Sequence, residues 1–422
     1  MERAILVNLA TTRREKEEAP ESMAELAGLA KASGAEVVRQ VYHNRPRPSP
    51  RFFVGAGKVE EIARLRAELE AGTVIFDHNL TPTQQRSLER SLRAKVVDRT
   101  QLILDIFAQR ARTNEGKLQV ELARLSYLLP RLAGRGAAFS QQGAGIRTRG
   151  PGEKKLEEDR RRIADRITKV RRDIARLEKR RAGQRASRRR SPVPTVSLVG
   201  YTSAGKSTLF NALAREKRYT SPGLFATLDP VLRRVTFSDG AYFFLSDTVG
   251  FIRKLPAELV TSFKTTLEEV READVLCHVI DVTSPQARGH AEAVDGVLAE
   301  IGATEVPVLR VYNKIDLLPA AEKELLLQAN AQGAGESIYV SAATGEGLND
   351  LRVRLRDALF RSRRLYRLRL PREAEEDLRA IGRRSLVLRR RENDGHVELA
   401  VMAEPAAMTD YVSYLERGEE PW

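Results

Sequence analysis

Eight consecutive residues, Gly200-Tyr201-Thr202-Ser203-Ala204-Gly205-Lys206-Ser207, carry the types needed to hold a phosphate chain. Glycines at both ends let backbone N–H groups turn toward an anion. Lys206 offers a positive charge to the β- and γ-phosphates, and Ser207 offers a hydroxyl to Mg2+. The apolar strand Pro194–Val199 precedes the loop and a helix-like Thr208–Arg215 follows it, so a helix N-terminus adds its positive end. Forty residues beyond Ser207, Asp247-Thr248-Val249-Gly250 closes the apolar strand Ala241–Leu245. An acid there can hold the magnesium ion through a water, and the Gly250 N–H can sense a γ-phosphate. Between the two motifs lies Phe225-Ala226-Thr227-Leu228-Asp229-Pro230, where Thr227 could give the metal a second hydroxyl.

The base is read further along. Asn313-Lys314-Ile315-Asp316 follows the strand Pro307–Val311. A carboxylate at Asp316 can accept two hydrogen bonds from the N1–H and N2–H2 edge of guanine. Adenine cannot offer that pair, and the carboxylate would stay unpaired against it. Asn313 can face N7 and tie loops together, the stem of Lys314 can cover the base, and Ser341-Ala342-Ala343 after strand Ser337–Val340 can bring a backbone N–H to guanine O6. The expected site therefore takes GTP or GDP with Mg2+. Lys206, Thr227 and Gly250 serve catalysis, Ser207, Thr227 and Asp247 serve the metal, and Thr208 extends the phosphate contacts.

Alternating strands and helices must position these residues, which argues an α/β fold. From residue 1 to 112, Ala4–Leu9, Glu36–Tyr42, Thr73–Phe76 and Lys95–Val97 read as strands. Ser22–Ser33, Lys58–Ala71 and Pro82–Arg93 read as helices, the last capped by Thr81 with proline at N1. Phe53–Lys58 reads as a structural loop. Residues 113–190 read as an antiparallel helical hairpin with a basic linker, because Leu118, Leu122, Leu125 and Leu129, then Ile163, Ile167, Val170, Ile174 and Leu177, recur at 3–4 spacing. Residues 191–362 form the nucleotide domain. Residues 363–422 read as a small α+β module with strands Tyr366–Leu370, Ser385–Arg391 and His396–Met402, and a turn at Asn393-Asp394-Gly395.

Composition narrows the setting. With 42% hydrophobic residues over 422 positions, several packed cores are expected. No apolar run is long enough to span a bilayer, and the single Cys277 excludes an internal disulfide. A cytoplasmic monomer is expected, and peripheral contact with a membrane is compatible with that. Cys277 and His278 on an apolar strand read as core residues. The net charge of +15 is concentrated between Arg131 and Arg190, where 21 Lys/Arg stand against 7 Asp/Glu. Such density attracts polyanions, RNA first among them.

The nucleotide segment resembles the translation-factor-like class of Ras-type GTPases, and within it the HflX family. The narrower resemblance is carried by Phe53-Val54-Gly55-Ala56-Gly57-Lys58-Val59-Glu60-Glu61, by Val97–Phe107, by Gly143–Glu153 and by Asp247-Thr248-Val249-Gly250-Phe251-Ile252. It implies a GTPase that binds the large ribosomal subunit and dissociates stalled or idle ribosomes, slow alone and stimulated by the ribosome. The hairpin's Arg131, Arg135, Arg147, Arg149, Lys154 and Lys155 would meet ribosomal RNA. Alternatives are a ribosome-assembly GTPase and an RNA-remodelling protein with a regulatory GTPase domain. The resemblance also exposes departures. Phe251 stands where many GTPases place a water-orienting glutamine, and Ser203 stands where relatives carry a potassium-binding asparagine. Arg147 and Lys154 replace smaller or neutral residues.

Overall fold

The computed structural model describes residues 2–132, 151–189, 192–215, 225, 231–248, 250–252, 269–332, 337–393 and 395–416, with the side chains of 151–156, 181–182, 184–189 and 329–332 excepted. The chain divides into two compact units, one built mainly from Met1–Leu177 and the other mainly from Lys264–Trp422 together with Glu178–Thr220 and Pro230–Arg253.

The first unit has an all-parallel sheet in the order β2-β1-β3-β4, from β1 (Glu2–Ala10), β2 (Ala35–Asn44), β3 (Thr73–Phe76) and β4 (Lys95–Asp98). Central β1 is buried from Ala4 through Ala10, as expected of a parallel strand covered on both faces. Helices α1 (Arg13–Ala32), α2 (Ala56–Glu68), α3 (Pro82–Leu92) and α4 (Arg99–Arg110) alternate with the strands. Thr81 caps α3 as expected, in a full capping box with Gln84. Helix α1 begins nine residues before the expected Ser22 and carries Pro20 in its interior. The Thr12 hydroxyl accepts from the Glu15 N–H at 3.2 Å, and Arg13–Glu17 and Arg14–Glu18 pair at helical spacing, so the added turns carry their own cap.

Helix α5 (Asn114–Leu132) packs on α4, and α6 (Pro151–Arg189) follows. The buried stripe of α5 includes Gly116, Val120, Ala123 and Tyr127, while the four expected leucines are half-buried beside it. On α6, Ile167, Val170 and Ile174 are buried, and Arg166 donates to both Glu121 oxygens at 2.6 and 2.9 Å, joining the two helices.

Arg131 was expected to contact RNA, and the structure gives it an internal role instead. It donates to Asp98 Oδ2 at 3.0 Å and to the Leu80 carbonyl at 2.8 Å, and lies over the Tyr127 ring. Arg135, Arg147 and Arg149 lie outside the described residues, as do the side chains of Lys154 and Lys155.

The second unit centres on a six-stranded sheet in the order β10-β9-β8-β5-β7-β6. Its strands are β5 (Thr195–Gly200), β6 (Val231–Thr236), β7 (Tyr242–Asp247), β8 (Val275–Asp281), β9 (Val308–Asn313) and β10 (Ser337–Val340), and only β6 runs antiparallel to its neighbour. Helices α7 (Lys206–Ala214), α8 (Ala287–Glu300), α9 (Ala320–Gln332) and α10 (Leu348–Phe360) connect or flank them. The chain leaves β5 for β6 and β7 on one side and returns to β8 on the other. The sheet's switch point therefore lies between β5 and β8, at the mouth of the glycine loop. An antiparallel sheet, β11 (Arg364–Pro371), β13 (His396–Ala403) and β12 (Leu386–Asn393) in that spatial order, with α11 (Glu375–Arg384), completes the unit. Among the described residues no helix is long and apolar enough to cross a membrane.

Candidate nucleotide site

Strand β5 ends at Gly200, and α7 starts six residues later at Lys206. Gly205, the N-cap, sits at φ +95°, and a Cβ there would stand 2.2 Å from Asn313 Nδ2. The position therefore needs glycine twice over, for its backbone angle and for the approach of Asn313. Lys206 is buried, its ammonium donating to the carbonyls of Gly200 at 2.9 Å and Tyr201 at 2.8 Å. Burial pulls its pKa down to about 8, opposed by the Asp247 carboxylate. A desolvated cation in the first turn of a helix is suited to receive phosphate oxygens.

Ser207 donates to Asp247 Oδ2 at 2.9 Å, so the first helical hydroxyl and the acid ending β7 meet. The next residue, Thr248, is held by its hydroxyl to the Leu198 carbonyl at 2.5 Å. Past it, Phe251 pairs with the loop through its main chain. Its N–H donates to Gly200 O at 3.1 Å, and its carbonyl accepts from Thr202 N–H at 2.7 Å. A Cβ on Gly250 would stand 2.9 Å from Thr202 Cγ2 and 3.1 Å from Lys206 Nζ. Only glycine lets this segment lie so close to the loop. The Phe251 ring is buried and offers no group to orient a water.

The loops after β9 and β10 and the glycine loop are joined by one side chain. Asn313 Nδ2 donates to the Ala204 carbonyl at 2.8 Å, and its Oδ1 accepts from the Ala342 N–H at 2.9 Å. The residue thus couples the phosphate loop to the loop after β10, as expected of a tie. Ser341 anchors its own turn, its hydroxyl accepting from Thr344 N–H at 3.1 Å, with Ala343 between them. Lys314 sits at φ +72° and caps the helical turn Ile315–Leu317, in which Asp316 is exposed to solvent.

The structure thus brings together the loop Gly200–Thr208, Asp247, Thr248, Gly250, Asn313, Lys314 and Ala342. Phe225 is placed in a packing role: its ring is buried edge to face against Phe107, with centroids 4.5 Å apart. Ala226, Thr227 and Val249 lie outside the described residues. Cys277 is buried on β8, and burial pushes its thiol up to about 12, in keeping with core packing.

Two neighbours were not singled out from the sequence. Asp281, the last residue of β8, accepts from Lys314 Nζ at 2.5 Å and from the N–H and hydroxyl of Thr283 at 3.0 and 2.6 Å. His290 on α8 stacks on Tyr201 of the loop, with centroids 3.9 Å apart and planes within 10°. The signal for Asp281 was available, since it is an acid closing an apolar strand.

A phosphate loop at the switch point of a largely parallel sheet, facing an aspartate-ended strand and an Asn-Lys-x-Asp turn, defines a P-loop GTP-binding domain. Comparison with known proteins agrees. Three family profiles match in succession: GTP-binding GTPase N-terminal over residues 20–108, GTP-binding GTPase Middle Region over 110–188, and 50S ribosome-binding GTPase over 195–314. The chain is 45% identical over 370 residues to GTPase HflX of Escherichia coli (strain K12), covering 88% of this chain and 86% of the relative. With GTPase HflX of Magnetococcus marinus it shares 43% identity over 420 residues, covering 99% and 96%. A GTP-binding protein of Sulfolobus solfataricus, solved in complex with GDP, is 25% identical with a TM-score of 0.45, covering 86% of this chain and 99% of that one. The chain belongs to the HflX family of GTPases, and it binds and hydrolyses GTP.

Proposed function

We propose that this GTPase binds the large ribosomal subunit and dissociates stalled or idle ribosomes in a nucleotide-dependent way, working as a monomer in the cytoplasm. The observation that carries the RNA-binding half is the positively charged α6, whose inner stripe of Ile167, Val170 and Ile174 is buried while Arg160, Arg161, Arg162, Arg171 and Arg172 face solvent. Cations arrayed along one helix attract a phosphate backbone and release its counterions. In sequence, the Gly- and Arg-rich segment with Arg135, Arg147 and Arg149, followed by Lys154 and Lys155, adds further positive charge for ribosomal RNA.

At the nucleotide, the residues present fit a magnesium ion, because Ser207 and Asp247 converge at 2.9 Å beside the buried Lys206. Ser207 and Thr227 would ligate it directly and Asp247 through water. A bound magnesium ion neutralises charge on the β- and γ-phosphates. Lys206 holds the same phosphates, Gly250 N–H marks the γ-phosphate, and Asp316 selects guanine. Without a glutamine at Phe251, intrinsic hydrolysis is slow, and a partner that orders the loops raises it. Activation in this class reaches on the order of 10³–10⁵.

The test is sedimentation of intact ribosomes with protein loaded with GTP, GDP or a non-hydrolysable GTP analogue. The analogue-loaded protein should move whole ribosomes into subunits, whereas the GDP form should not. Ribosomes left intact under all three conditions would overturn the splitting role.

A further inference from the structure

The antiparallel C-terminal sheet presents a face that the nucleotide site does not use. Its register sets Arg367, Ala400 and Arg389 in one row, and Arg369, Glu398 and Arg391 in the next. Side chains alternate across a sheet, so these rows share one face. Leu368, Leu370, Val397, Leu399 and Val401 take the other, where they form a core with Ile381 and Met408. The row preceding the arginines contains Leu386 and Met402, which join the core of the nucleotide domain. One end of the arginine face is thereby anchored, and beyond it Arg369, Arg389 and Arg391 are exposed.

The module's acidic residues pair mostly elsewhere: Glu375 with Arg379, Asp410 with Arg384, and Glu392 with Arg390. Among the described residues no carboxylate forms an ion pair with Arg369 or Arg389. We propose that this face binds the phosphate backbone of double-helical RNA. Arg369 and Arg389 lie on the two outer strands, roughly 9.6 Å apart across the sheet and one same-face row, roughly 6.6 Å, apart along it, so their guanidinium groups can each reach a separate phosphate. Guanidinium forks match phosphate oxygens in pairs. A sheet face suits the wide, shallow minor groove of an A-form duplex, whereas the B-form major groove is read by an inserted helix or ribbon. Neither arginine row holds an aromatic side chain on which an unpaired base could stack, so recognition is of shape and charge and is indifferent to sequence.

The surface is distinct from the hairpin, and its test separates the two. Full-length protein carrying Arg369→Gln and Arg389→Gln together is titrated with an RNA duplex of two helical turns over a potassium chloride series. Loss of two phosphate contacts should flatten the slope of log affinity against log salt by about 0.9 per contact, the duplex value. Affinity at low salt should fall several-fold. The lysine pair, Arg369→Lys with Arg389→Lys, should keep most of the slope, as should Arg379→Gln, whose charge is already paired. GTP hydrolysis without RNA should match the parent in every variant, which verifies folding. An unchanged slope in the glutamine pair overturns the proposal. So does loss of binding to vesicles of equal phosphatidylglycerol and phosphatidylcholine with RNA affinity intact, since the face would then serve a membrane. If the hairpin reading fails, the slope change here still stands.

Discussion

The four-stranded and six-stranded sheets of this chain both carry polar residues at the carboxyl edges of their parallel strands, and they use them in opposite ways. In the first unit the switch point lies between β1 and β3, where Asn8 donates to Asp77 at 3.0 Å. Ser22 donates to the same carboxylate at 2.6 Å, and Arg99, almost wholly buried, donates to its other oxygen at 2.7 Å while pairing with Glu25. Asp98 at the end of β4 accepts from Leu80 N–H, Gln101 N–H and Arg131. Every carboxylate oxygen of Asp77 and Asp98 is thus taken by the protein itself. In the second unit the corresponding edge has a glycine-bounded loop, a buried lysine and an exposed Asp316. A switch point becomes a ligand site where the sequence supplies glycines and rests its cation only on loop carbonyls that an anion can replace. Arginines from the neighbouring helices turn the same place into a sealed core. Phe53–Lys58, which has glycines but begins α2 at Ala56, belongs to that sealed side.

The sharpest way to break this contrast is Asp316→Asn. Two charge-assisted hydrogen bonds to guanine are lost, at about 1.5–3 kcal/mol each, so GTP affinity should drop at least a hundredfold by calorimetry. Xanthosine triphosphate should bind the variant better than GTP does, because its extra carbonyl accepts from the new amide. Retained GTP binding would mean that the base is read elsewhere.

Arg99→Met attacks the sealed side. It leaves Asp77 and Glu25 in the interior without their cation, and removing one partner of a buried pair costs about 3–5 kcal/mol. Urea unfolding should show that loss, while GTP affinity of the folded variant should be unchanged. A change in nucleotide affinity larger than the change in stability would show that the two edges are not separate devices.

Much of this contrast was legible in the sequence, and the reasons divide cleanly. Motifs local in sequence, such as Gly200–Ser207 and Asn313–Asp316, announce themselves because phosphate and guanine impose fixed spacing. Buried strands such as Thr73–Phe76 read correctly because a doubly covered strand is a short β-branched run. The network of Arg99, Asp77 and Glu25 was invisible because its partners lie 22 and 74 residues apart, with no periodic signature. Helix α1 starts earlier than expected because its first turns are held by the Thr12 cap and by Arg–Glu pairs, with no apolar stripe to announce them, and on α5 the leucine stripe lies beside the buried positions Gly116, Val120, Ala123 and Tyr127.

His278 refines the picture of the nucleotide sheet as a core that tolerates few charges. Burial holds its pKa down at about 4, against an ordinary 6.5, with Asp295 at 3.5 Å opposing the shift and Arg310 and Lys206 reinforcing it. The unfolded chain takes up this proton near 6.5 and the folded chain only near 4. Stability is therefore complete above the unfolded value and is lost as pH falls between the two, by about 3 kcal/mol in all. His278→Gln should remove that share of the acid sensitivity in unfolding measured from neutral pH to near 4. An unaltered pH dependence would mean that the ring is already protonated in the fold.

The smallest expected effect tests whether the open edge is organised beyond its motifs. Asp281 gathers Lys314 and both donors of Thr283, and the lysine's backbone sits at φ +72°. The ion pair is partly exposed, at 28% and 20% of the two side chains, so solvent screens it and only about 1 kcal/mol is at stake. Asp281→Asn keeps the size and the bonds to Thr283 but weakens the hold on Lys314. If that hold positions the lysine stem over the base, GTP and GDP should both bind roughly fivefold more weakly. The hydrolysis rate of the saturated enzyme should stay constant, because the base moves no charge in the reaction. Unequal losses for GTP and GDP would instead place the influence of Asp281 at the γ-phosphate, and equal affinity to the parent would reduce it to a turn-holding residue.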